Sequence, residues 1–153
     1  MTTDVRKVDR VTREIRACFN RMKAVGDVLH RDLGVTSAMR AVMEFLAENG
    51  EHTVPQVARA KNVTRQHIQT LVNRLDVSGL VSIRPNPADK RSPLIDLNDA
   101  GKKTFAAMRR REKAVFDGLG LALARCDLDA TLTSLGALRQ FLDTQLTKGD
   151  HHD

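Results

Sequence analysis

The chain has 153 residues, 41% of them hydrophobic, which favours one compact domain with a buried core. With five Phe and no Tyr or Trp, it lacks the aromatic platforms on which readers of RNA and single strands stack bases. Of its net charge of +6, residues 54–91 carry +5, since they hold seven Lys or Arg against two Asp or Glu, and this favours an anionic partner for that segment.

A long first helix is predicted from about residue 4 to residue 33. Its apolar residues follow one another at alternating spacings of three and four, as in a seam that packs against other helices. Cys18 occupies one position of this seam, where we interpret it as a small hydrophobic residue. Gly34 supplies the C-terminal stop. The seam consists of Val8, Val11, Ile15, Cys18, Met22, Val25 and Leu29.

A second helix is predicted over residues 37–48, where apolar residues recur with helical spacing. Thr36 or Ser37 can cap its start through a side-chain oxygen, and Asn49-Gly50 ends it. Arg40 lies near its start, where contact with a DNA backbone is one interpretation and simple solvation is the one we favour. The residues expected to face the core are Met39, Val42, Phe45 and Leu46.

Two helices joined by a short turn are predicted next. Thr53 and Gln56 have the spacing of a capping box, which starts a short helix over residues 54–61. A tight turn at Asn62-Val63 separates it from a longer helix that Thr64 caps and that ends at about Val77. A short and a longer helix joined by about three residues fit a helix-turn-helix. The apolar stripe of the longer helix is Ile68, Leu71, Val72 and Leu75.

The opposite face of this longer helix carries only groups that can hydrogen-bond a base edge or a phosphate, and none of them is acidic. The alternative interpretation is a solvated face, but such faces usually mix both signs of charge. The amides of Gln69 and Asn73 can each bond adenine through two hydrogen bonds, and Arg65 and Arg74 can bond guanine or hold phosphate. The predicted DNA contacts on this helix are Thr64, Arg65, Gln66, His67, Gln69, Thr70, Asn73 and Arg74.

A β-hairpin wing follows the helix-turn-helix. Alternating apolar and polar residues indicate short strands at 80–84 and 94–97, and the loop between them contains three prolines. The loop carries Lys90 and Arg91 at its tip, where a charge has little packing role. We therefore expect both side chains to contact DNA, with minor-groove insertion that favours A·T-rich sequences, and Arg84 to assist from the strand. A surface ion pair within the wing is the alternative for Arg91.

Two long helices complete the chain, over about residues 99–125 and 128–147. Asn98 and Asp127 are positioned to cap their starts. The charged run from Arg109 to Lys113 is interpreted as an exposed helix face, because this third of the chain is neutral overall. The apolar positions of the two helices include Phe105, Met108, Val115, Phe116, Leu119, Leu123, Leu128, Leu132, Leu135, Leu138, Phe141, Leu142 and Leu146.

The first helix and the last two carry apolar stripes that one winged domain cannot cover. Interleaving with the same helices of a second copy would bury them, and a symmetric dimer would place two recognition helices roughly 34–36 Å apart. We predict a mainly α-helical single chain, residues 1–153, with a winged part at 36–98 and a dimerisation part at 4–33 and 99–147. The residues expected at the dimer interface are Val8, Val11, Ile15, Leu119, Leu123, Leu128, Leu132, Leu135 and Leu142.

Five short motifs follow one another in a characteristic order: Val57-Ala58, Val63-Thr-Arg-Gln with Leu71-Val-Asn-Arg-Leu75, Gly79-Leu-Val81, Asp89-Lys-Arg91 and Leu97-Asn-Asp-Ala-Gly101. In this order they resemble the MarR family of bacterial winged-helix transcription regulators, over nearly the whole chain. Asn98 stands where the family commonly has Thr. The resemblance implies a homodimer on pseudo-palindromic double-stranded DNA, with Arg91 near the minor groove and oriented by Asp89. It also implies a repressor whose DNA affinity changes with a small phenolic or other anionic effector, or with cysteine oxidation.

Two alternative functions are weighed against this one. A thiol-based redox sensor would use Cys18, but sensors of this kind resemble one another in tyrosines that polarise the thiolate, and this chain has none. A winged-helix module for protein contacts would not require the positive charge on residues 54–91. The sequence shows no catalytic or cofactor-binding motif, no signal peptide and no membrane-spanning run. We therefore expect a cytoplasmic DNA-binding protein that is not an enzyme, in which the histidines of the terminal tail, His151 and His152, hold no metal.

Overall fold

The structure is a computed structural model that describes residues 4–149, so the tail histidines and the expectations about them lie outside the described residues. Residues 4–149 form six α-helices and three short strands, which confirms the predicted mainly helical fold with a winged helix-turn-helix. None of these helices is both long and apolar enough to cross a membrane. The helices are α1 (Val5–Leu29), α2 (Ser37–Asn49), α3 (Val54–Lys61), α4 (Arg65–Val77), α5 (Asp99–Ala122) and α6 (Leu128–Gly149). The strands are β1 (His52–Thr53), β2 (Val81–Arg84) and β3 (Leu94–Leu97).

The helices of the winged part begin at the predicted caps. The hydroxyl of Thr36 accepts a hydrogen bond from the backbone N–H of Met39. Thr53 and Gln56 form both bonds of the capping box, and the hydroxyl of Thr64 accepts from the backbone N–H of His67. Each of these bonds satisfies an amide that has no partner within its own helix, so the residues that start a helix can be identified from short-range sequence.

The long helices depart from their predicted lengths. Helix α1 ends at Leu29 rather than near residue 33, because a 3-10 turn over Arg31–Leu33 follows it. Gly34 then ends this turn with a positive φ of 65°, a conformation that glycine adopts without strain. Helix α5 continues through Gly118 and Gly120 and ends at Ala122, three residues before the predicted end at Arg125.

The sheet has three strands rather than the two expected for a hairpin wing. Strand β3 lies in the middle and pairs antiparallel with both β1 and β2. In the pair that sequence reasoning missed, His52 lies opposite Ile95 and Thr53 opposite Leu94. A strand of two residues is too short to show the alternation by which strands are recognised, so the sequence gives no local signal for β1.

The chain forms two compact units, Met1–Glu112 and Lys113–Asp153. The core of the first unit brings together apolar residues of α2, α3, α4, the sheet and α5. Three of the four core residues predicted for α2 are buried, Phe45 is only partly buried, and Met43, which was not predicted, is fully buried. These two units do not test the predicted separation into a DNA-binding part and a dimerisation part, which therefore stays a prediction.

Asn98 joins the end of the wing to the start of α5. Its Oδ1 accepts a hydrogen bond of 2.9 Å from the backbone N–H of Gly101, as expected for a cap. Its Nδ2 donates to the carbonyls of Gly79 and Val81, at 2.9 and 3.2 Å. A Cβ on Gly101 would lie 2.0 Å from the carbonyl oxygen of Leu80, so the close approach of these two segments requires glycine.

Two sequence-based expectations about charged residues are wrong. Arg40 is not solvated, because its guanidinium bonds the carboxylates of Glu112 and Glu44 and its side chain is only 17% exposed. The run Arg109–Lys113 is not uniformly exposed, because Glu112 is buried one helical turn after buried Met108. Residues four apart lie on the same side of a helix, so the register that buries one buries the other.

Candidate nucleic-acid interface

Helix α4 turns its polar face to solvent because its apolar stripe is buried in the core. Its four predicted stripe residues are at most 5% exposed. The opposite face carries no carboxylate from Arg65 to Arg74, although exposed Asp76 adds one in the last turn of the helix, and all the predicted contact residues on this face are exposed. These residues are Thr64, Arg65, Gln66, His67, Gln69, Thr70, Asn73 and Arg74. The structure therefore brings the predicted set together on one surface, while their contact with DNA stays a prediction.

Two hydrogen bonds organise this polar face. The Nε2 of Gln69 donates to the Oδ1 of Asn73 at 2.8 Å, and the hydroxyl of Thr70 donates to the carbonyl of Gln66 at 3.0 Å. The first bond joins the two amides that were expected to bond adenine separately. This bond uses one N–H of Gln69 and one lone pair of the Asn73 oxygen, so the second N–H and the Oε1 of Gln69 and the Nδ2 of Asn73 remain available to bases.

The cations of this face are not neutralised by the protein itself. Among residues 4–149, neither Arg65 nor Arg74 has a carboxylate within ion-pair distance. Arg65 also lies in the first turn of α4, where backbone N–H groups lack partners and the helix dipole is positive. This end of the helix therefore attracts anions such as phosphate.

The wing tip is braced by its own side chains. Oδ1 of Asp89 accepts from the backbone N–H of Arg91 at 2.9 Å, and the carbonyl of Asp89 accepts from the N–H of Ser92 at 3.1 Å. The Nδ2 of Asn86 donates to the carbonyl of Ser92 at 3.0 Å. Asp89 thus holds the backbone of Arg91, and within the described chain neither Arg91 nor Lys90 forms an ion pair. Both cations are exposed and available to a ligand.

Arg84 differs from the other predicted contact residues because, within residues 4–149, it alone of them forms an ion pair. Its Nε donates to the Oε2 of Glu51 at 2.7 Å, and its Nη2 bonds the same oxygen. The side chains are 56% and 41% exposed, so this is a surface ion pair. Glu51 was not expected at the site, and no local signal could have indicated it, because the two residues are 33 positions apart.

Neither cysteine forms part of a built site. Cys18 and Cys126 are free and exposed. Within residues 4–149, no group of three or more His, Cys, Asp and Glu side chains is placed to hold a metal ion. An exposed recognition helix with no carboxylate from Arg65 to Arg74, followed by a braced cationic hairpin, defines a protein of the winged helix-turn-helix class.

Comparison with known proteins identifies the family within this class. Residues 33–92 match the model of the MarR family. The chain is 31% identical over 129 residues to an uncharacterised protein of Mycobacterium tuberculosis, which covers 84% of this chain and 90% of that protein. It therefore belongs to the MarR family of winged-helix transcription regulators, which confirms the resemblance inferred from its motifs.

Solved structures agree on the fold. The MarR family transcription regulator SP03579 superposes with a TM-score of 0.79 at 24% identity, over 94% of this chain and 97% of that chain. The transcriptional repressor CouR, solved on a 23-mer DNA duplex, superposes with a TM-score of 0.77 at 20% identity, over 91% and 99%. The matched share of both chains shows that the winged part and the flanking helices occur together in these proteins as well.

Proposed function

We propose that this regulator is a homodimeric repressor that binds a pseudo-palindromic DNA duplex, with α4 in the major groove and the wing tip in the minor groove. The observation that carries the proposal is the exposed face of α4, which has no carboxylate from Arg65 to Arg74 and lies in the same winged part as the unpaired cations Lys90 and Arg91. CouR, which shares the fold, is a repressor solved on a DNA duplex, and this supports double-stranded DNA as the partner here. Such a protein would act in the cytoplasm, on the bacterial chromosome.

Exposed apolar side chains in each unit support a homodimer. In the first unit, α1 leaves Val8 and Val11 44% and 52% exposed. In the second unit, α6 leaves Leu132 66% exposed and Leu142 50% exposed. Apolar faces of this extent are unfavourable in water, and a second copy with the same faces would cover them.

The proposal includes a small-molecule effector that lowers DNA affinity, an expectation that rests on the family alone. The effector can be tested separately from DNA binding, because none of the predicted contact residues on α4 and the wing is assigned to it. Effector candidates can therefore be screened by displacement of a labelled duplex once a duplex has been found.

Selection of duplexes from a random pool by the full-length chain tests the DNA proposal. We expect the selected sequences to be pseudo-palindromic, and the logarithm of their binding constant to fall linearly with the logarithm of salt concentration. Gln69→Ala or Asn73→Ala should change the preference at defined base pairs, by about 1–3 kcal/mol each. Gln140→Ala, an exposed glutamine on α6, is the matched control and should change nothing. Binding that ignores sequence and salt would refute the proposal.

Sedimentation of single variants tests the dimer. Leu132→Glu places a charge on the exposed apolar face of α6, so we expect a monomer that binds the selected duplex weakly. Thr133→Glu adds the same charge at the neighbouring exposed position and should leave the dimer intact. A wild-type protein that sediments as a monomer at micromolar concentration would contradict the proposal.

A further inference from the structure

A buried polar cluster joins three helices of the first unit. His30, directly after α1, is 0% exposed, and its Nε2 lies 3.0 Å from Oε1 of Glu112 on α5. Arg40 of α2 holds the same carboxylate with two bonds, from Nε to Oε1 and from Nη2 to Oε2 at 2.7 Å. The Nη1 of Arg40 lies 3.1 Å from Glu44, one turn later on α2. Glu112 is thus the point at which the end of α1, α2 and α5 meet.

The neighbouring residue on α5 adds a second set of bonds to the same region. Arg111 donates to both carboxylate oxygens of Asp32 in the 3-10 turn, at 2.6 and 2.8 Å. It also donates to the carbonyl of Leu29, the last residue of α1, at 3.1 Å. Two consecutive residues of α5 therefore hold the end of α1, the turn that follows it and α2.

The contribution of these buried charges to the stability of the fold does not by itself explain their arrangement. Burial raises the pKa of Glu112, but the hydrogen bonds from Arg40 and His30 outweigh it, and the pKa lies below its ordinary value, so the carboxylate is charged. The Nδ1 of His30 is buried with no hydrogen-bond partner in the described chain. Buried charges of this kind are often replaceable by apolar residues without loss of stability, whereas their bonds fix one geometry.

Helix α2 connects this cluster to the recognition helix. Met39, which precedes Arg40, is 2% exposed and belongs to the same core as Ile68 and Leu71 of α4. One side of α2 is therefore bonded to Glu112 while another side packs against the inner face of α4. Because packed helices move as rigid bodies, a change in the angle of α2 would be passed to α4.

We propose that Glu112 is a positioning residue, which with Arg40 and His30 fixes α2, and through α2 the recognition helix, at the orientation that the operator requires. This inference rests on the proposed function. It predicts a loss of sequence discrimination in the folded protein, beyond any loss of stability, when the cluster is broken, because non-specific contacts to phosphates tolerate a change of helix angle that base contacts do not.

Glu112→Gln tests this role, since it keeps the shape of the side chain and removes its charge. The probes are duplexes selected by the wild-type chain and a shuffled duplex of the same length and composition. We expect affinity for selected duplexes to fall about tenfold or more and affinity for the shuffled duplex to stay within about twofold. Met108→Ala, one turn earlier on α5, should lower the melting temperature and keep the ratio of the two affinities. Asp117→Asn, which removes an exposed charge of α5, should also keep it.

Replacement of His30 provides a second test if Glu112→Gln does not fold. His30→Gln retains an amide donor for Glu112 and should keep the ratio, whereas His30→Ala should reduce it. The positioning role is overturned if the Glu112 variant weakens both duplexes equally, if it changes neither, or if Met108→Ala reduces the ratio as much. A wild-type protein that binds selected and shuffled duplexes alike would instead refute the proposed function, and the positioning role with it.

Discussion

The ion pair between Arg84 and Glu51 leads to a prediction about the charges of the wing. Arg91 has no carboxylate partner in the described chain, whereas Arg84 bonds Glu51. A cation that is already paired releases fewer counterions from DNA when it binds, because its charge is partly neutralised beforehand. We therefore expect Arg91→Ala to weaken duplex binding more than Arg84→Ala, and Glu51→Gln to strengthen it by freeing Arg84.

The size of the effect follows from the number of wings. Each phosphate contact contributes about 0.9 to the slope of log K against log salt, so a dimer with two wings loses about 1.8 when Arg91 is removed. If both proteins bind equally at about 1 M salt, a slope change of this size corresponds to about 30-fold weaker binding of the variant at roughly 0.15 M salt. Arg84→Ala should change the slope by less than half as much, and Glu51→Gln should make it steeper. The fold should be unaffected, since a surface ion pair contributes only about 0–1 kcal/mol.

Fluorescence anisotropy on one labelled duplex, at salt concentrations from about 50 to 200 mM, measures these slopes. Circular dichroism of each variant checks that its helices are intact. Equal slopes of log K against log salt for Arg91→Ala and Arg84→Ala would refute the assignment of Arg91 as the free cation and Arg84 as the paired one. Unchanged binding of Arg91→Ala would remove the wing tip from the DNA interface.

Three further predictions concern stability and regulation. Asn98→Ala removes a helix cap and two hydrogen bonds to backbone carbonyls, so it should lower the free energy of unfolding by about 2–4 kcal/mol, seen as a lower urea midpoint at unchanged m-value. Because the pKa of folded Glu112 lies below its ordinary value of 4.5, its contribution to stability is present above that pH and is lost as the pH falls through the folded value. Acid titration of Glu112→Gln should therefore show a shallower loss of stability below about pH 4.5 than the wild type, and identical curves would contradict this account. Peroxide should not release the protein from DNA, and release that Cys18→Ser abolishes would revive the redox alternative.

The sequence alone predicted the features that depend on neighbours along the chain. Capping bonds join residues two or three positions apart, so the starts of α3 and α4 were visible in Thr53, Gln56 and Thr64. A helical stripe is likewise a local repeat, and the stripe of α4 determined which face would be free. The set of candidate DNA contacts on α4 followed from that face, because a helix that buries one side must present the other.

Only the tertiary structure decided which charges find partners. Glu51 and Arg84 are 33 residues apart, Arg40 and Glu112 are 72 apart, and His30 and Glu112 are 82 apart. Strand β1 likewise exists only because β3 lies beside it. Contacts of this kind depend on how helices and strands pack, and a side chain with a partner far along the chain looks, in sequence, the same as one that faces water. The sequence therefore determined the cationic surface, while packing determined which of its cations are free and what holds the recognition helix in place.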